Sequence, residues 1–315
     1  MIRRSSSITP FDPVESRIGD RPDDRARLFS YYFASLLTGV CIFAIPLKDL
    51  LMMSLHSELY SYIPLIFLTS GYLLTSGRKE IFQNPAYSTG YGVLVLILSL
   101  GAGVVGLRSA VFLGPNDYLC VMAFSFWLFL VGTFILCFGM RTFTRAIFPL
   151  ALLLFTIPMP ALLLDKIVSS LQAASFASTS LIFHSLGFFP LEEGSVFKFP
   201  ELAIEVARQC SGIRSSTALV ILSLLSGNLF LRSSLNRFLL VIFSIFIAIF
   251  KNGVRIAALA LGTIYIDPRI ISGPIHEAGG IPVFMLGFAM LSTVVVVMRK
   301  LEKRTEKRQA SPTTA

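Results

Sequence analysis

The residues best suited to chemistry are one cysteine, one arginine and one histidine in the carboxy-terminal half of the chain. Cys210 precedes Ser211 and Gly212, where a helix is expected to begin; the amide donors and dipole of a helix start favour a thiolate. Arg255 interrupts an apolar run, and His276 lies in the Gly- and Pro-containing segment SGPIHEAGGIP, which predicts a turn. A nucleophile, a fixed cation and a general acid or base are the parts of an acyl-transfer site.

The polar residues around Arg255 have helical spacing. Lys251 and Asn252 precede it by four and three positions, so all three share one helix face. Gly253 between them allows another backbone to approach closely. An alternative is that Arg255 is a structural cation whose side chain reaches toward the membrane surface.

The other cysteines are weaker candidates. Cys120 also begins an apolar run, but its neighbours include no cation and no small-residue turn, so it is the second candidate nucleophile. Cys41 and Cys137 are expected to pack against lipid or protein, as most cysteines do. The four cysteines and three histidines form no CxxC or CxH pair, which argues against a zinc, haem or disulfide scaffold.

The composition requires a membrane protein. Hydrophobic residues make up 54% of the 315, charged residues only 14%, and the mean hydropathy is +0.75, whereas a soluble domain has about a quarter charged residues. Runs of the length that crosses a bilayer predict an all-α polytopic protein of about eight spans. They lie at 28–47, 59–77, 89–107, 118–138, 146–164, 211–231, 238–262 and 280–298.

The basic residues predict the orientation of these spans. With both termini cytoplasmic, 18 of the 27 Lys and Arg residues fall on the inner side, and each inner loop carries two of them. This is the distribution that the positive-inside rule expects, so the net charge of +9 reflects topology rather than binding to nucleic acid. We therefore predict cytoplasmic tails at 1–27 and 299–315 and a single transmembrane domain at 28–298.

The three candidate residues have similar predicted depths in the membrane. At 1.5 Å per residue, Cys210, Arg255 and His276 lie about 33, 27 and 35 Å above the inner edges of their spans. All three are thus expected near the outer interface. His56 and His184 are also predicted on the outer side, so depth does not choose among the histidines.

The longest segment between spans, 165–209, is predicted to form a small outer cap. Residues 165–187 place apolar side chains at helical spacing opposite Ser and Gln, which predicts an interfacial helix. Residues 188–207 nearly alternate and are broken by Gly194 and Pro200, which predicts two or three short strands.

Three motifs resemble the exosortase and archaeosortase family. They are EVARQCSGIRSS (205–216), NGVRIAAL (252–259) and His276 with Gly279 and Gly280, and the likeness extends upstream to TIPMP (156–160). The resemblance covers about residues 140–298. Gln209 and Met159 depart from the family pattern without touching the candidate side chains.

This resemblance implies a cysteine protease and transpeptidase of the plasma membrane. Its partners would be exported proteins whose carboxy-terminal sorting signal, of the PEP-CTERM type, combines a short motif, one span and a basic end. The catalytic residues map onto Cys210, Arg255 and His276, and Arg214 and Asn252 are candidate substrate contacts. The chemistry requires no metal or organic cofactor. A link to surface polysaccharide export is also implied.

Two other classes remain open on the sequence alone. Lys251 and Asn252 deep in a span are compatible with a transporter pathway, although no acidic residue lies deep in any predicted span to relay ions. A surface-polysaccharide assembly protein without catalysis would use the outer cap as a docking surface.

Overall fold

A computed structural model of the chain describes residues 16–17, 22–83, 85–200, 203–267 and 280–310. Within these ranges the chain is mostly helical. It divides into two compact units, Met1–Ala161 and Leu162–Ala315, which we call unit 1 and unit 2 and describe separately.

Unit 1 is built around one long helix. Its elements are β1 (Ser16–Arg17), α1 (Pro22–Ile42), α2 (Ala44–His56), a 3-10 turn (Glu58–Tyr60), α3 (Ile63–Ser76), α4 (Arg78–Ile81), β2 (Ala86–Tyr87), α5 (Thr89–Ser109), α6 (Pro115–Arg145), α7 (Ile147–Leu152) and a second 3-10 turn (Leu153–Thr156). The strands β1 and β2 pair antiparallel. The apolar stretch of α6 is 61% buried, against 22% for that of α5, so α6 is the more central helix.

Small residues allow α5 and α6 to pack closely. A Cβ at Gly92 would lie 2.7 Å from Leu136 Cα, so the two backbones nearly touch there. Ser99 and Ser125 are fully buried, and each donates its hydroxyl to the other's carbonyl oxygen at 2.8 and 2.7 Å. Helices that cannot rely on the hydrophobic effect within lipid associate through such small and hydroxyl-bearing side chains.

The first predicted span is not one straight helix. The chain breaks at Phe43, and α1 and α2 are bent by 77°. Pro46 explains the position, because a proline ring clashes with the carbonyl group four residues earlier, here that of Ile42, the last residue of α1. A straight span at 28–47 is therefore not confirmed, and the two helices together form either one broken span or a re-entrant loop.

Two further predicted spans also differ from the structure. At 59–77, α3 has only 14 residues, about 21 Å of helix, which is short for a bilayer. At 146–164, helix α7 ends at Leu152 and is followed by the 3-10 turn. Residues 157–160, which include Pro158 and Pro160, separate this turn from the next helix. The predictions at 89–107, 118–138, 211–231, 238–262 and 280–298 each fall on one long helix.

The described residues include five helices long and apolar enough to cross a membrane, or seven if each of two bent pairs is one span. The count of eight is thus not confirmed. A multi-pass architecture with a small sheet is what the structure supports.

Unit 2 contains the predicted cap and three long helices. Its elements are α8 (Ala161–Ser185, beginning at the boundary), β3 (Leu191–Glu193), β4 (Val196–Lys198), β5 (Ala203–Glu205), a 3-10 turn (Arg208–Ser211), α9 (Ile213–Phe230), α10 (Ser234–Tyr265) and α11 (Gly280–Ala310). The strands form an antiparallel sheet in the order β3-β4-β5. The helix predicted at 165–187 and the short strands predicted at 188–207 are therefore confirmed as secondary structure, and their placement at the outer interface stays a prediction.

Two apolar clusters hold unit 2 together. One joins α9, α10 and α11 through Leu219, Ile247 and Leu291. The other packs the sheet onto α8 and α10, with Phe197 stacked on Phe176 and edge-on to Phe183. The sheet thereby fixes the segment that leads from β5 into α9, which carries Cys210.

Candidate active site

Cys210 lies in the 3-10 turn between the sheet and α9. Its side chain is partly exposed and its sulfur is a free thiol. The entry to this turn is anchored on both sides of Val206: its amide donates to the Ser195 carbonyl at 2.9 Å, and its carbonyl accepts from Gln172 Nε2 of α8 at 2.6 Å. The cysteine is therefore placed by packed elements rather than by a free loop.

Asn252 connects the cysteine to α10. Its Nδ2 donates to the Cys210 carbonyl oxygen at 2.7 Å and to Ser175 Oγ of α8 at 2.9 Å, and its side chain is 2% exposed. One amide group thus joins α8, α10 and the cysteine turn. A buried amide that satisfies two partners within the protein positions the backbone. The suggestion that Asn252 also contacts the substrate stays a prediction.

Gly212 completes the turn. Its φ of 71° is left-handed, a conformation that glycine adopts without steric cost. A Cβ at this position would also lie 2.8 Å from Cγ and Oδ1 of Asn252. Two features therefore favour glycine at position 212: the left-handed backbone conformation and the space that Asn252 occupies.

Lys251 is buried beside this arrangement. It is 2% exposed, and its Nζ donates to Ser215 Oγ in the first turn of α9 at 2.5 Å. Ser215 in turn donates to the Gly212 carbonyl at 3.1 Å. Two successive residues of α10 therefore bind the segment 210–215, Asn252 through Cys210 and Lys251 through Ser215.

The two candidate arginines differ in position. Arg255 is partly buried on α10, one turn beyond Lys251 and three residues beyond Asn252, so it lies on the face of α10 that meets the cysteine turn. Arg214 is exposed in the first turn of α9. Arg214 follows Cys210 by four residues in the chain, whereas Arg255 belongs to a different helix.

The histidines are only partly described. His276 lies outside the described residues. His184 is exposed near the end of α8, with its ring 5.2 Å from that of Phe189. It follows Ser175 by nine residues, which places it roughly 14 Å along the axis and on the opposite side of α8. The face of α8 that contacts Asn252 therefore does not carry His184.

The α8 residues that support the site are not among those predicted from the sequence. Ser175 and Gln172 bond to the asparagine and to the cysteine segment, and Ser178 meets α10 so closely that a Cβ at Gly253 would lie 2.4 Å from its Oγ. The signal for them is the run of Ser, Gln and Ala along 169–180, which helical spacing alone assigns to the polar face of an interfacial helix.

The fold and this arrangement describe a multi-pass membrane protein with a cysteine held at a helix start by a neighbouring span. The sequence profile of the transmembrane exosortases (Exosortase_EpsH) matches residues 52–293, so the chain belongs to the transmembrane exosortase family. No significant match is found among curated proteins or among solved structures.

Proposed function

We propose that the chain is a membrane cysteine protease and transpeptidase that cleaves carboxy-terminal sorting signals of exported proteins at the outer face of the plasma membrane. The observation that carries this proposal is the bond from Asn252 to the Cys210 carbonyl, which fixes the cysteine beside the face of α10 that bears Arg255. Membership of the exosortase family supports it.

The chemistry is acyl transfer. The Cys210 thiolate attacks the scissile carbonyl carbon, and the tetrahedral intermediate collapses with cleavage of the C–N bond, leaving a thioester on Cys210. Arg255 stabilises the developing oxyanion. His276 protonates the departing amine, which leaves with the substrate's span, and later accepts a proton from the incoming amine or water that resolves the thioester. Arg214 is exposed in the first turn of α9, where it is suited to bind an acidic motif.

The test is processing of a co-expressed exported protein that ends in a short motif, one apolar span and a basic tail. We expect Cys210→Ala to abolish cleavage while the variant stays in the membrane. Cys120→Ala is the matched control, because Cys120 is a partly buried free thiol in α6 of unit 1, and it should cleave normally. Full processing by Cys210→Ala would overturn the proposal.

The choice of histidine is tested in the same assay. His276→Gln should lose cleavage and His184→Gln should retain it, since His184 lies on the side of α8 away from Asn252. Equal loss from both would refute the assignment of His276.

A further inference from the structure

Unit 1 contains a cleft of about 430 Å³, here called the basic cleft, that the proposed reaction does not use. Its lining joins the start of α1, the helix α4 and the last third of α6. The lining residues that matter are Leu28, Phe29, Arg78, Lys79, Phe82 and Phe138. Its volume lies in the range typical of small-molecule sites.

One side of the basic cleft is an aromatic wall. Phe82 packs edge-on against Phe138 with ring centroids 4.9 Å apart, and Phe29 lies 5.1 Å from Phe82 and 5.2 Å from Phe138. Phe138 is 1% exposed, whereas Phe29 is 47% exposed. The wall is therefore buried at Phe138 and exposed at Phe29.

The other side is cationic. Arg78 and Lys79 begin α4, only two residues after α3 ends at Ser76, and both are exposed. Although α3 is short for a bilayer, long basic side chains beside an apolar helix extend their charged ends to the head groups. Among the described residues that line the cleft, two are basic and none is acidic, so the cleft combines positive charge with an apolar wall.

We propose that the basic cleft binds an anionic phospholipid from the bilayer. Its phosphate group would pair with Arg78 and Lys79, and the first part of an acyl chain would lie along Phe29. Basic pockets between membrane helices are suited to acidic head groups, and each cation near the surface contributes about 1 kcal/mol. The exposed aromatic edge favours a lipid over a free phosphate, because a soluble anion has no apolar part to cover it. This inference does not depend on the proposed protease activity.

The test uses the full-length protein in detergent, loaded with neutral phosphatidylcholine and titrated with phosphatidylglycerol, with bound lipid counted by native mass spectrometry. We expect the wild type to prefer phosphatidylglycerol. The double variant Arg78→Gln/Lys79→Gln should lower this affinity on the order of tenfold or more. Its matched control is Lys300→Gln/Lys303→Gln, which removes the same charge from exposed positions of α11 and should change the affinity less than about twofold.

Three results of this titration would overturn the inference. They are a wild type without preference between the two lipids, an equal loss in both double variants, and displacement of the lipid by glycerol phosphate at matched concentration, which would mean that the phosphate alone is bound. A photoactivatable phosphatidylglycerol should label the peptides containing residues 28–29 and 78–83, and labelling confined to other peptides would also reject the site.

Discussion

At the scale of single residues, the contact that fixes Cys210 is made by its backbone and not by its thiol. Asn252 donates to the Cys210 carbonyl from a position 42 residues away in sequence. The thiol is left partly exposed and available for chemistry. Supporting residues that lock the geometry of a reactive group in this way commonly decide how well a site works.

We predict that Asn252→Ala slows the reaction of Cys210 with iodoacetamide or a substrate severalfold. The variant should also lower the free energy of unfolding by about 1–3 kcal/mol, because the Cys210 carbonyl and the Ser175 hydroxyl lose their partner. Labelling rate and thermal midpoint in detergent measure the two effects.

The matched control is Asn236→Ala. Asn236 lies on the same helix, about 24 Å away, and donates its Nδ2 to Glu302 Oε1 at 2.7 Å. This variant should lose stability while its Cys210 reacts at the wild-type rate. Equal labelling rates in the two variants would show that Asn252 does not position the cysteine.

At the scale of elements, the site depends on the close approach of α8 and α10. Gly253 allows this approach, since a Cβ there would lie 2.4 Å from Ser178 Oγ and 2.8 Å from Ser178 Cβ. The Ser175–Asn252 bond lies one turn away on α8. A wider separation of the two helices would therefore break the contact that carries the cysteine turn.

We predict that Gly253→Ala destabilises the protein by about 1–3 kcal/mol through overpacking and also reduces cleavage. Gly227→Ala is the comparison, because a Cβ there would lie at an ordinary 3.6 Å from Arg237; alanine in a helix interior should be neutral or slightly stabilising. Thermal unfolding in detergent compares the pair, and an unchanged midpoint for Gly253→Ala would contradict the close-packing explanation.

At the scale of the whole molecule, the charge distribution predicts which side of the membrane each end of unit 2 faces. The tail after 299 is strongly basic, whereas the cap strand β3 contains Glu192 and Glu193. The cap and the cysteine turn belong to one packed body, so the sidedness of the cap is also that of Cys210.

We predict that an impermeant thiol reagent applied to intact cells labels a Glu193→Cys variant and spares a Lys303→Cys variant, both made in a background with all four native cysteines changed to alanine. Both positions are exposed, and permeabilised cells, in which both should label, provide the control. Labelling of Lys303→Cys in intact cells would contradict the orientation.

Much of the fold could be predicted from local sequence patterns. Apolar runs predicted α5, α6, α9, α10 and α11, and the change in periodicity after 187 predicted the small sheet, because both signals reside within a single element. The break between α1 and α2 was also accessible in principle, since Pro46 marks it, but hydropathy over a long window conceals a single proline.

The sequence by itself determined which residue types are present and which of them share a helix face: Lys251, Asn252 and Arg255 on α10, with Cys210 at a helix start. Only the tertiary structure decided that Asn252 binds the cysteine backbone, that α8 supports the site, and that His184 lies on the other side of α8. These outcomes depend on contacts between segments far apart in the chain, and helical periodicity specifies which side of a helix is buried without specifying what it meets.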